Sequence, residues 1–172
     1  MRRGYQMKQT IKIVLLVFGG LILQITLIAK ISIFGSKPDL LLALIVAVAL
    51  LKGPFHGELV GFMSGFLGDL ISGGPLGVQA FSRTVIGYGV GFVSGRFYSD
   101  NIITQAVSGF IATIAVKAIT AIHLSFLFTN VQFVHVSFLG LILTACLNSI
   151  LVVIIFWIMK SFIGEKFNDF IA

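Results

Sequence analysis

Three ionisable side chains, Glu58, Asp69 and Lys117, lie inside stretches otherwise apolar enough for lipid. Charges at such depth are expensive, and they mark ion pathways, proton relays or structural pairs. A relay needs several acidic groups reaching both faces, and only Asp69 lies near mid-depth or beyond, so a structural ion pair is the expected use. Asp69 stands fifteen residues after Pro54, near the carboxyl end of its helix, where the helix dipole disfavours a carboxylate and calls for a partner. Lys117, fifteen residues after Ile102 on a span running the same way, is one candidate, and Arg83, across a Gly/Pro turn, is the other. Glu58 sits in the first turn of its helix, where the positive dipole end, Lys52 and Arg96 all favour a carboxylate, and it reads as an anchor at the membrane interface.

Other chemistries fail on spacing. Ser64, Ser72, Ser94 and Ser108 each precede a glycine, but Phe62, Leu70, Phe92 and Ala106 stand where the Gly-x-Ser-Gly nucleophile of intramembrane serine proteases needs glycine. His56, His123 and His135 do not gather, no HExxH or Cys/His ligand spacing occurs, and no GxxxxGK loop is present to cradle a phosphate. Cys146 is the single cysteine, which excludes an internal disulfide and reads as a small apolar residue of a membrane helix. No enzyme, metal or cofactor is expected.

The elements that position these residues follow from hydropathy. Of 172 residues 58% are apolar and only 10% charged, with a mean hydropathy of +1.08, whereas a soluble domain carries about a quarter charged residues. An all-α polytopic membrane protein is expected, a six-helix bundle forming a single integral membrane domain over residues 1–172. Candidate spans are 13–30, 39–53, 54–72, 82–98, 102–126 and 137–160. The first span is expected to remain uncleaved, since Lys30 follows Ala29, no small-x-small site is clear and further spans follow at once. The second would rise only ~22 Å, short of the ~30 Å hydrocarbon core, and is expected to be tilted or partly re-entrant. Pro38-Asp39 marks its start, with the carboxylate placed to cap free N–H groups. Lys52-Gly53-Pro54 and Ser72-Gly73-Gly74-Pro75-Leu76-Gly77 break the chain at opposite faces.

Assigning alternate loops to alternate faces gives one face Arg2, Arg3, Lys8, Lys12, Lys52, Arg96, Lys160 and Lys166 and the other Lys30, Lys37 and Arg83. Eight against three places both termini in the cytoplasm. The net charge of +6 is then explained by a basic rim facing anionic lipid, with no need of nucleic acid.

Gly57, Gly61 and Gly65 fall every four residues on the third span, and Gly87, Gly91 and Gly95 do so on the fourth. Each trio makes a slowly drifting stripe where another helix approaches closely, either within this bundle or from a second protein. GELVGFMSG and GYGVGFVSG, which contain these trios, share six of nine residues. Phe126, Phe128, Phe133 and Phe138 crowd the outer loop, as an interfacial belt or a docking surface.

Pro38-Asp39-Leu40-Leu41, Leu51-Lys52-Gly53-Pro54, Gly61 to Gly65, and above all Gly68-Asp69-Leu70-Ile71-Ser72-Gly73-Gly74-Pro75-Leu76-Gly77 resemble the rod shape-determining protein MreD family over about residues 38 to 95. The resemblance implies a non-enzymatic scaffold of the bacterial elongation machinery, in the bacterial inner membrane. It would pair with the bitopic protein MreC and support the glycosyltransferase RodA, its penicillin-binding transpeptidase and, indirectly, cytoplasmic MreB filaments in lateral peptidoglycan synthesis. It also implies a fold similar to the substrate-binding subunits of energy-coupling-factor transporters, with Asp69 and the Gly73 to Gly77 turn shaping the outer end. The alternative is such a carrier subunit for a small molecule, which needs an outward pocket of convergent polar groups. Asp69, Asn130, Gln132 and His135 are all that the chain could supply to it.

Overall fold

The computed structural model describes residues 15, 17–26, 36–95, 99–127 and 138–163. Six helices are found among them: α1 Val17–Thr26, α2 Leu40–Lys52, α3 Pro54–Ser72, α4 Val78–Ser94, α5 Ile102–Leu127 and α6 Phe138–Ile163. No strand occurs among the described residues. Arg2, Arg3, Lys8, Lys12, Lys30, Arg96 and Lys166 lie outside the described residues, as do Phe128, Asn130, Gln132, Phe133 and His135.

Helix α2 is the axis of the bundle. It is apolar on every side, a pattern that suits only a helix enclosed by others or by lipid, and all of Leu41 to Leu50 is buried. It packs against α3, α4, α5 and α6, and α1 joins it where Gly20 lies against Leu41. The small side chains of Ala43, Ala47 and Ala49, all fully buried, let these neighbours come close from several directions. Thirteen residues span ~20 Å while the 26-residue α5 and α6 each span ~39 Å, so α2 covers about half the length of the two longest helices. These two, α5 and α6, are long and apolar enough to cross a membrane.

Local chemistry sets the breaks. Gly53 turns the chain from α2 into α3 at φ 80°, where a side chain would be strained, and Pro54 opens α3. Gly77, at φ 98°, opens α4. The fourth helix therefore runs over Val78–Ser94, four residues earlier than the expected 82–98. Its first turn can begin directly after Gly77 because a carboxylate from α3 takes up its free N–H groups, a tertiary contact with no signature in local hydropathy.

Helices α3 and α4 form an antiparallel hairpin in direct backbone contact. Gly57 faces Gly87, Gly61 faces the backbone of Arg83, Gly65 faces that of Ala80, and Gly91 faces Pro54. A methyl group on any of these four glycines, or on Gly87, would run into main-chain atoms of the opposite helix. Five of the six stripe glycines thus lie at this interface. Gly95 does not, and nothing lies within 4 Å of its notional Cβ: Gly91 already meets Pro54, where α3 begins, so one turn further on there is no helix left to meet.

Glycine packing makes a direct prediction. Gly57→Ala, whose new methyl would collide with Gly87 and with Ala49 of α2, lowers the thermal unfolding temperature by about 2–12 °C, from an overpacking cost of ~1–3 kcal/mol. Gly89→Ala, on the open side of α4, leaves it unchanged or slightly raised. Equal loss in both variants, measured by thermal unfolding in detergent, would refute close packing as the reason for the stripe.

Candidate functional site

The first turn of α2 lies inside the bundle, and a helix start leaves backbone N–H groups with no intrahelical partner. Away from water each must find an acceptor or cost several kcal/mol. Three of the acceptors are side chains. The Asp39 carboxylate accepts from Leu42 N–H at 3.0 Å, Asn148 Oδ1 on α6 accepts from Asp39 N–H at 2.8 Å, and Gln24 Oε1 on α1 accepts from Leu40 N–H at 2.8 Å. Gln24 also donates to the Pro38 carbonyl at 3.3 Å.

The remaining valences extend this arrangement to the other helices. The second carboxylate oxygen of Asp39 pairs with Arg83 Nη2 of α4 at 3.0 Å, with 10% of the Arg83 side chain and 26% of the Asp39 side chain exposed. Asn148 donates from Nδ2 to Thr113 Oγ1 of α5 at 3.1 Å, and Thr113 in turn donates to the Gly109 carbonyl at 2.8 Å. One polar hub therefore ties α1, α2, α4, α5 and α6. Asn148 is the eleventh residue of α6 and Thr113 the twelfth of α5, which puts the hub ~15–17 Å from the start of each, near mid-length. The chain reaches it through the non-helical stretch 36–39, whose Ser36 hydroxyl donates to the Gly140 carbonyl at the start of α6. Arg83 Nη1 is buried with no hydrogen-bond partner among the described residues.

Asp69 does for α4 what Asp39 does for α2. Its carboxylate accepts from Gly77 N–H at 2.9 Å, Gln79 N–H at 3.1 Å and Ala80 N–H at 3.2 Å, and the residue is 2% exposed. Gly77 has no side chain to cap its helix, so a carboxylate from eight residues earlier does so. The ion pair expected between Asp69 and Lys117 or Arg83 is not formed. The unfavourable end of the α3 dipole is offset because Asp69 also faces the favourable end of α4. Arg83 turns instead to Asp39, 44 positions away in sequence, and Lys117 is exposed on α5 with no ion pair to a described residue. Ser72 accepts from Gln79 Nε2 and donates to the Asp69 carbonyl, both at 3.3 Å, which stitches the 73–77 turn shut.

Among the described residues no three His, Cys, Asp or Glu side chains gather as a metal site. Sequence reasoning singled out Asp39 and Arg83 separately and missed Gln24, Thr113 and Asn148. The signal was present, since Gln24 and Asn148 are isolated amides in apolar runs, but attention confined to ionisable groups passes over amides that cap a helix. At the opposite end, Lys160 Nζ pairs with Asp100 at 2.9 Å and lies 5.3 Å from the Trp157 ring centre, fastening the start of α5 to the end of α6.

Comparison with protein families matches the model described as rod shape-determining protein MreD over residues 5–162. Comparison with curated proteins gives no match.

Two substitution sets check this geometry. Arg83→Met strands the Asp39 carboxylate and lowers stability by about 3 kcal/mol, the lower end of the range for breaking a buried pair because Asp39 is partly accessible. The double variant Asp39→Asn/Arg83→Met, which retains a capping oxygen without the charge, loses less than the sum of the single losses, whereas additivity in a thermal double-mutant cycle would deny the coupling. Asp69→Leu leaves three N–H groups unpaired, at ~1–3 kcal/mol each, and reduces the yield of monodisperse protein. Lys117→Leu does not, and matching losses in the two would restore the pairing that the structure replaces.

Proposed function

We propose, from the premise that this chain belongs to the rod shape-determining protein MreD family, that it is the scaffold subunit of a cell-elongation complex, binding MreC and supporting peptidoglycan synthesis by RodA and its penicillin-binding transpeptidase. Family membership carries a role in rod shape determination and residence in a membrane. The partners and the wall-building step are the part proposed. The observation that carries the scaffold reading is that five polar side chains of the bundle, Asp39, Asp69, Gln24, Thr113 and Asn148, each satisfy main-chain or neighbouring side-chain groups. Such groups stiffen a bundle.

The proposed topology is multi-pass within a single membrane domain, with both termini in the cytoplasm. With Arg83 lying within α4, the sequence count of basic residues becomes eight against two and supports it, as does the placement of Lys52, Asp100 and Lys160 at one end of the helices and the 73–77 turn at the other. On this reading the hub lies near the bilayer midplane and the Asp69 cap toward the outer leaflet. A fold shared with energy-coupling-factor substrate-binding subunits is part of the same proposal, supported by the six helices and the motif running from Gly68 to Gly77.

Gentle extraction of tagged protein from its own host, followed by mass spectrometry, separates the readings. MreC recovered with RodA and the transpeptidase is the expected result. Transport ATPases with a transmembrane coupling subunit would replace the scaffold by the carrier subunit.

A further inference from the structure

Lys117 is the one described cation in the middle of a helix that turns outward without an ion pair to a described residue. It borders a stripe of exposed α5 residues that is otherwise apolar, formed by Ile103, Val107, Ile111, Ile114 and Ile122. On the multi-pass reading, on which this inference rests, that stripe faces lipid or a partner. Lys117 is fifteen residues from Ile102 and ten from Leu127, so its Cα sits ~22 Å from one end of α5 and ~15 Å from the other, ~3 Å beyond the middle. With a hydrocarbon half-thickness of ~15 Å, the nearer headgroup region is ~12 Å away, about twice the reach of a lysine side chain along the surface. An ammonium group there is costly without a partner at its own depth, and a carboxylate is the acceptor that also matches its charge.

The described residues do not supply that carboxylate. Its six acidic residues are Asp39, Glu58, Asp69, Asp100, Glu165 and Asp169. Asp39 pairs with Arg83, Asp69 with backbone amides, and Asp100 with Lys160. Glu165 and Asp169 lie outside the described residues. Glu58, in this chain or in a second copy, is only four residues into α3, ~16 Å closer to the Ile102 end of the bundle than Lys117.

We infer that the outward face of α5 is the seat of a transmembrane helix from another protein, carrying an aspartate or glutamate that pairs with Lys117 near mid-membrane. The isoleucine stripe supplies the packing surface and the single cation sets register and orientation, since opposite charge at one depth excludes helices that lack it.

The test uses full-length protein in its host membrane, with photoreactive benzoylphenylalanine replacing Ile114, one turn from Lys117. Illumination should yield an adduct with a membrane-spanning helix that contains an acidic residue at the crosslinked depth. Lys117→Glu should reduce the adduct by about tenfold or more, as expected for like charges opposed in a desolvated contact, while Lys117→Arg retains it. Replacing the acidic residue of the captured helix by lysine should restore the adduct with Lys117→Glu. Elution profiles of every variant confirm that folding is retained. Adducts with lipid alone, with a second copy of this chain, or with a helix lacking a carboxylate would overturn the inference, and so would failure of the charge exchange. If MreC is recovered with the wild-type protein while position 114 yields only lipid, the α5 inference fails and the scaffold reading survives. If neither result appears, both fail.

Discussion

A helix that starts halfway down a bundle must have its first N–H groups satisfied by side chains, because neither water nor a preceding helical turn is there to do it. Helix α2 imposes this demand, and the arrangement of its neighbours answers it. Asn148 fixes the height of α6 against α2, Gln24 fixes α1, and the Asp39 carboxylate, already used once on Leu42 N–H, recruits Arg83 from α4. Thr113 joins α5 through Asn148. Sliding any of these helices by one turn, ~5.4 Å, would break a bond of ~3 Å and strand a buried polar group.

The glycine ladder complements this constraint. Hydrogen bonds at the hub set depth and leave the separation between helices free, whereas the contacts of Gly57, Gly61 and Gly65 with α4 set separation. The two devices meet at Arg83, whose backbone lies against Gly61 and whose guanidinium holds Asp39. At the far end of the same hairpin, Asp69 closes the 73–77 turn by capping α4. Both interior carboxylates thus face helix amino termini, where partial positive charge stabilises them without requiring a cation for each.

This economy bears on function in a shape-determining family. On the proposed scaffold reading, outward faces must be held at fixed angles and depths, and a bundle cross-tied at mid-length provides them. The interior charges are consumed in building it. Lys117, which the interior does not use, stands on a surface where it can address another molecule.

Much of the fold was legible in the sequence because its signals act over one helical turn. Pro54 and Gly53 mark the α2–α3 break, Ser72 to Gly77 the α3–α4 turn, Asp39 the cap of α2, and the four-residue glycine spacing a close-packed face. These follow from steric and hydrogen-bonding rules linking positions i to i+4, as does the lipid-suited hydropathy. What only the tertiary structure decided is which polar groups meet. Asp69 reads as a charge in search of a cation until α4 is folded back over it and three amides arrive instead. Asp39 and Arg83 are 44 positions apart and Asp39 and Asn148 are 109 apart, and their pairing depends on the relative depth and rotation of whole helices. That α2, only 13 residues long, is the axis of the bundle was equally hidden, since an all-round apolar helix looks the same facing lipid as facing protein. Depth and rotation are set by the summed packing of all six helices, a quantity that no local stretch of residues contains.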